Sequence, residues 1–260
     1  MIITFKKISI LFIIGLIVFS CKKKEDEPNN SNEPTVTEGT FILHLHTHID
    51  STEIDAYDTI YSLSNGRKMS LHLAQMYFSD VQLVKIDGAI VDITTNSFLK
   101  VFENEQYLIG NVPVGNYKGV RFKVGLNSTK NALNPTSSSE SEILNNSEMW
   151  FGSSAQPDGY VFLNVQGTID TTSSMNGTPV NFEYRIGTNS SYTQITMPDQ
   201  YFTVLKGIYA YKHVIVDYSK IFEGVTLNDP NNLTVHSLVD NSLPFVETLK
   251  NNIPLMFRYE

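Results

Sequence analysis

Three histidines recur at every second position along one segment: His44, His46 and His48, within Thr40–Ile49. On a β-strand, positions i, i+2 and i+4 share a face, with successive members roughly 6.6–6.8 Å apart. Two neighbours in such a row can lean together onto one metal ion, but all three would have to converge across twice that distance. The sharper expectation is a His-x-His pair completed by one ligand from elsewhere. Neutral imidazole suits copper and zinc. The plain alternative is a polar sheet face whose histidines meet water. His46 belongs to both adjacent pairs and leads the ligand set, with His44 or His48 beside it. His72 alternates with Leu71 and Leu73 in Met69–Met76 and joins them if its polar face meets that of the first strand. Taken alone, His72 reads as a surface histidine. His213 and His236 have no ligand-type sequence neighbours and read as structural. The seven methionines form no Met-x-x-Met cluster of the kind that holds soft Cu(I), and Met149, beside Trp150, reads as core.

Other chemistry finds little support. There is no Gly-x-Ser-x-Gly elbow, no His-Glu-x-x-His and no phosphate-binding glycine loop. Carboxylates are scattered, which leaves a glycosidase unsupported; the expectation is a binding protein and not an enzyme. With 27 acidic against 19 basic residues, a net charge of -8 and no basic stripe, nucleic acid is not an expected partner. A single cysteine excludes a disulfide framework and any Cys-x-x-Cys zinc site.

The elements that must position these residues are strands. Phe41, Leu43, Leu45 and Ile49 face opposite to the histidine row, a period of two. Val120, Phe122 and Val124 alternate with Arg121 and Lys123. Phe182, Tyr184 and Ile186 alternate with Asn181, Glu183 and Arg185. Val214, Val216 and Tyr218 alternate with His213, Ile215 and Asp217. Turn residues separate the runs: Asp87-Gly88, Pro113 to Gly115, Asp158-Gly159, Asn176-Gly177 and Pro198-Asp199. The best helical pattern is Leu238–Asn251, in which Pro244 is tolerated only in the first turn or breaks the helix. With 260 residues, the expectation is an all-β, single-domain β-sandwich or irregular barrel. Long loops are expected at Asn127–Ser147 and Thr171–Thr178, and loops of that length are usually functional or mobile.

The N-terminus reads as an address. Lys6 and Lys7 precede the apolar run Ile8–Phe19, about twelve residues against the roughly 20 of a bilayer span. Val18-Phe19-Ser20-Cys21 resembles a bacterial lipobox, which implies that Cys21 is lipidated and becomes the mature N-terminus. Residues 1–20 are then a lipoprotein signal peptide, 21–37 a flexible tether rich in Lys, Glu, Asp, Asn and Pro, and 38–260 the folded domain. Glu25-Asp26-Glu27 partly resembles the surface-export signal of Bacteroidetes lipoproteins. The expected location is the bacterial outer membrane, held by the lipid anchor and facing the periplasm or the cell surface.

Short motifs in a fixed order carry a family resemblance across most of Thr40–Phe257. They are Leu43-His44-Leu45-His46-Thr47-His48-Ile49-Asp50, Met76-Tyr77-Phe78-Ser79-Asp80-Val81-Gln82-Leu83, Val112-Pro113-Val114-Gly115-Asn116-Tyr117, and Val120 to Asn127. Met149-Trp150-Phe151-Gly152, Gly159-Tyr160-Val161-Phe162, Phe182 to Gly187, Val216-Asp217-Tyr218-Ser219-Lys220-Ile221-Phe222 and Asn252 to Phe257 follow. In this order they resemble the MbnP-like copper-binding domain family, in a Bacteroidetes-type lipoprotein version. The resemblance implies copper as cofactor. In some members copper(I) is held by histidines and an oxidised tryptophan made with a partner dihaem peroxidase. It therefore implies Trp150 as a candidate oxidised residue and a dihaem peroxidase-type protein as a candidate partner. Two departures stand out. Arg185 occupies the histidine position of the family's Tyr-His-Ile-Gly motif, and its guanidinium stays protonated. Trp150 is the chain's single tryptophan, shifted by one position, with Phe151 where a tryptophan is usual. Two functions are expected from these residues: a non-catalytic copper-binding or copper-scavenging envelope lipoprotein, or a metal-free accessory lipoprotein that binds a protein or glycan through its long loops.

Overall fold

The alternation of apolar and polar residues becomes two packed sheets. The computed structural model describes residues 37–136, 141–151 and 159–260. The expected signal peptide (residues 1–20), Cys21 and all but the last residue of the expected tether lie outside the described residues. The strands are β1 (Glu38–Ile49), β2 (Thr52–Glu53), β3 (Tyr61–Ser62), β4 (Lys68–Lys85), β5 (Ile90–Lys100), β6 (Gln106–Pro113) and β7 (Gly115–Val124). After short helical turns α1 (Ser128–Asn131) and α2 (Ser141–Leu144) come β8 (Val161–Ile169), β9 (Val180–Gly187), β10 (Thr193–Thr196), β11 (Phe202–Val204), β12 (Tyr209–Asp217) and β13 (Thr234–Val235). Helix α3 (Pro244–Asn252) and β14 (Phe257–Tyr259) end the chain. Pro244 stands in the first turn of α3, where its missing N–H costs nothing.

The fold is all-β. Among the described residues one sheet runs β14-β12-β1-β2, with β6 also paired to β1; the other runs β10-β7-β4-β8-β9-β13, with β3 and β5 on β4 and β11 on β7. The apolar phases of both sheets meet in one core: Phe41, Leu43 and Leu45 from β1, Met76 and Phe78 from β4, Phe182 and Tyr184 from β9, and Val214 and Val216 from β12. The opposite phase of the larger sheet carries a second cluster, with Tyr77, Tyr160 and Phe162 packed over Met149 and Leu144. The histidine phase of β1 lies on the outer face of the smaller sheet.

Several of the ordered motifs turn out to be structural fastenings. Asp80 adopts a left-handed φ of 50° at a break in the β4 register, a conformation Asp tolerates. Beside it the Ser79 hydroxyl donates to the Gly125 carbonyl at 3.1 Å. Tyr117 donates back to the Pro113 carbonyl at 2.7 Å, pinning the β6–β7 turn. Asp217 accepts from the Ser219 amide and from the Asp50 amide at 3.0 and 2.8 Å, tying the end of β12 to the end of β1.

Lys100 is the unusual core residue. It is fully buried, and its ammonium donates to Thr47 Oγ1 at 2.7 Å and to the Val101 carbonyl at 2.8 Å. Burial pushes its pKa down to about 8, outweighing the nearby Glu105 and Glu103. The unfolded chain therefore binds more protons than the folded one between about 8 and the ordinary lysine value near 10.5, and stability rises with pH through that window. In urea melts the unfolding midpoint is expected to climb from pH 8 to about pH 9.5, below general tyrosine ionisation. Lys100→Met should flatten that climb; equal slopes in the two proteins would contradict the assignment.

Candidate metal centre

Two strands of the smaller sheet carry the histidines of the site. β1 and β12 pair in parallel with His44 opposite His213 and His46 opposite Ile215. The His44 and His213 rings lie 4.5 Å apart, those of His46 and His213 are stacked at 5.3 Å, and those of His44 and His46 are 5.9 Å apart. His46 Nε2 and His213 Nδ1 are 3.0 Å apart, one of them donating to the other. One ring nitrogen from each of His44, His46 and His213 lies within 4.8 Å of the others.

Carboxylates close the rim from three further elements. The tight turn at Asp50, whose φ is 57°, folds β2 back so that Glu53 reaches His46 Nδ1 at 3.1 Å. Glu105, at the entry to β6, approaches the same nitrogen at 3.2 Å. Glu260 follows β14, where its amide bonds the His213 carbonyl, and its Oε2 lies 3.4 Å from His213 Nδ1 and 3.8 Å from His46 Nε2. His46 and the two carboxylates at its Nδ1 form a second group of metal-ligand type.

The histidine cluster has the donors to hold a metal ion of the kind imidazole suits, copper among them. His44 Nε2 is buried and has no hydrogen-bond partner, so a lone pair or an N–H there is unsatisfied, a cost that a native core usually avoids. Burial, followed by the neighbouring His213 and His46, holds the His44 pKa below its ordinary value. At neutral pH His44 is therefore an uncharged imidazole, the form that ligates.

The other sequence candidates fall elsewhere. His48 shares the outer face but is nearly buried, with Nδ1 unpartnered; burial lowers its pKa, opposed first by Glu53. It does not join the group formed by the other three. His72 belongs to β4 in the larger sheet, pairs with Asp58 and does not reach the polar face of β1. His213, read from sequence as structural, takes the place that His72 was expected to fill. His236 pairs with Glu183 at 2.9 Å.

Trp150 is also placed apart. Its indole Nε1 donates to the Leu144 carbonyl at 2.9 Å, within the second cluster. Arg185 projects from the same outer face of the larger sheet and donates to the Trp150 carbonyl. The histidines lie beyond the main core, on the outer face of the other sheet. A site combining Trp150 with these histidines is therefore not assembled, and the family-histidine position holds a fixed guanidinium.

A cleft of about 340 Å³ is lined by Asp50, Arg67, Met175 and Lys220, among others, and by no histidine. Its charges are mixed, and Asp50 is already engaged with the Ser64 amide. The histidine cluster takes precedence because ring nitrogens of three histidines lie within 4.8 Å of one another.

A family model for MbnP matches residues 38–237. Among solved structures, MbnP from Methylosinus trichosporium is similar, with 16% sequence identity over 72% of this chain and 78% of that one, at a TM-score of 0.48. No curated protein matches the chain.

Proposed function

The chain belongs to the MbnP family, and from that premise and the histidine cluster we propose that it is a copper-binding lipoprotein of the bacterial cell envelope, binding or scavenging the metal without catalysing a reaction. The observation that carries this reading is the convergence of His44, His46 and His213, with the buried Nε2 of His44 left without a partner. Those three side chains would hold the metal, with Glu53, Glu105 and Glu260 around them. Because Trp150 lies on the opposite outer face, the reading requires neither its oxidation nor a dihaem peroxidase partner.

Copper added to the metal-free mature protein should shift or broaden the ring-proton NMR signals of His44, His46 and His213 before those of His72 and His236. A titration that leaves these three signals untouched would remove the proposal's basis. The second reading, a metal-free accessory lipoprotein, draws on Arg185, which stands where the resemblance implies a histidine. That reading gains if no copper binds.

The lipobox supports placing the protein at the outer membrane, facing the periplasm or the surface. Wild-type protein is expected in the membrane fraction, and Cys21→Ala should be released or left unprocessed. One acyl chain anchors only marginally, so stable attachment implies more than one. Recovery of wild-type protein wholly in the soluble fraction without lipid would contradict the anchor.

A further inference from the structure

We propose that Glu53, Glu105 and Glu260 make this centre a site for a divalent ion, selecting Cu(II) over Cu(I); the proposal rests on the copper-binding reading above.

The donor set is the first argument. Three imidazoles are borderline ligands and carboxylate oxygens are hard ones, whereas Cu(I) is favoured by thiolates and thioethers. Among the described residues no sulfur donor joins the cluster. Met69, Met76, Met197 and Met256 are buried in the main core, Met149 in the second cluster, and Met175 lines the cleft beside Arg67 that no histidine lines. Charge is the second argument. Three carboxylates gather around three imidazoles, so a second positive charge on the ion is compensated where a monovalent ion would leave more of the negative charge unopposed.

The two sides of the cluster divide the work. Glu53 and Glu105 both face His46 Nδ1, at 3.1 and 3.2 Å. A proton held there is shared with acceptors, which leaves Nε2 with its lone pair turned toward His213 and His44. Such a carboxylate–histidine pairing fixes the ring and raises its basicity as a ligand. Glu53 and Glu105 are therefore positioning residues. Glu260 sits on the other side, within 3.4 Å of His213 Nδ1 and 3.8 Å of His46 Nε2, and is the carboxylate placed to add an oxygen donor beside the nitrogens. Its side chain is 54% exposed and that of His213 45%, so water also has access, as a hydrated divalent ion requires.

The test is a pair of competition titrations on the full mature protein at neutral pH. Cu(II) is added against a chelator with electron paramagnetic resonance as readout. Cu(I) is added without oxygen against a colorimetric Cu(I) chelator. Wild type should bind Cu(II) with nitrogen hyperfine structure and bind Cu(I) more weakly. Zn(II) should compete with Cu(II). The variants E260Q and E53Q/E105Q keep the side-chain shape and remove charge at exposed or half-buried positions. E53Q/E105Q should weaken Cu(II) binding about 10- to 100-fold, the usual range for outer-shell partners of a metal site, and E260Q, which removes an oxygen donor, at least as much; both should change Cu(I) binding far less. Circular dichroism melts confirm that each variant is folded. Tighter Cu(I) than Cu(II) binding by wild type, or equal losses of both ions in the variants, overturns the selectivity. Binding of neither ion by wild type overturns the copper reading itself.

Discussion

Replacing His46 with alanine is expected to lower copper affinity by at least about 100-fold, more than the 10- to 100-fold typical of outer-shell changes, because a direct ligand is lost. His46 presents one nitrogen to His213 and the other to Glu53 and Glu105. Its removal therefore takes away a donor and leaves both carboxylates without their partner. His213→Ala and His44→Ala should follow closely. His72→Ala and His236→Ala should leave the affinity unchanged, since each is paired with a carboxylate elsewhere. Binding must also compete with protonation of the imidazoles, so affinity should fall below about pH 6. Within the cluster His44 resists that loss, because burial and its histidine neighbours hold its pKa down. A competition titration across pH 5 to 8 checks both expectations. Wild-type affinity in the His46→Ala protein would show that the ligands are elsewhere.

Gly167→Val should destabilise the fold by about 3 kcal/mol or more, at the upper end for overpacking. Gly167 lies on β8 opposite Leu71, and a Cβ there would stand 2.0 Å from the Ser70 carbonyl oxygen. That obstacle is backbone, in the central β4 strand, and cannot rotate aside. For a domain of this size each kcal/mol moves Tm by roughly 2–4 °C, so the expected fall is on the order of 10 °C. Gly119→Ala provides the control. Its added Cβ meets the nearest atom, Val84 Cβ, at 3.7 Å, an ordinary contact. A thermal melt of Gly167→Val that overlays the control would mean that β4 and β8 are not packed this closely.

Much of this architecture is legible in single strands. The alternation of Leu43 and Leu45 with His44 and His46 fixes both the strand and the face on which the histidines emerge. It does so because a pleated strand offers no other way to bury the leucines. Pro244 marks the first turn of α3 for an equally local reason. The site itself is only half legible. His213 lies on the polar phase of its own strand, which is the one signal it gives. Its meeting with His46, 167 residues away, depends on the parallel pairing of β1 with β12. Neither strand's pattern names its neighbour. Glu53, Glu105 and Glu260 arrive through a turn, a strand entry and a strand end, where charged residues are common and carry no period. His72 shows the converse. Its alternation is correct, but β4 belongs to the other sheet. Trp150 and Arg185 illustrate what a motif conveys. Their order along the chain follows the family, and the structure joins them to each other and not to the histidines.

The central claim is that the outer face of the smaller sheet holds copper through His44, His46 and His213. Elemental analysis of the full-length protein, purified from the membranes of its native host beside a His44→Ala/His46→Ala/His213→Ala variant, tests it most directly. The account predicts stoichiometric copper in the wild type and its loss from the folded variant. Wild-type protein without copper, or a triple variant that retains it undiminished, would contradict the account.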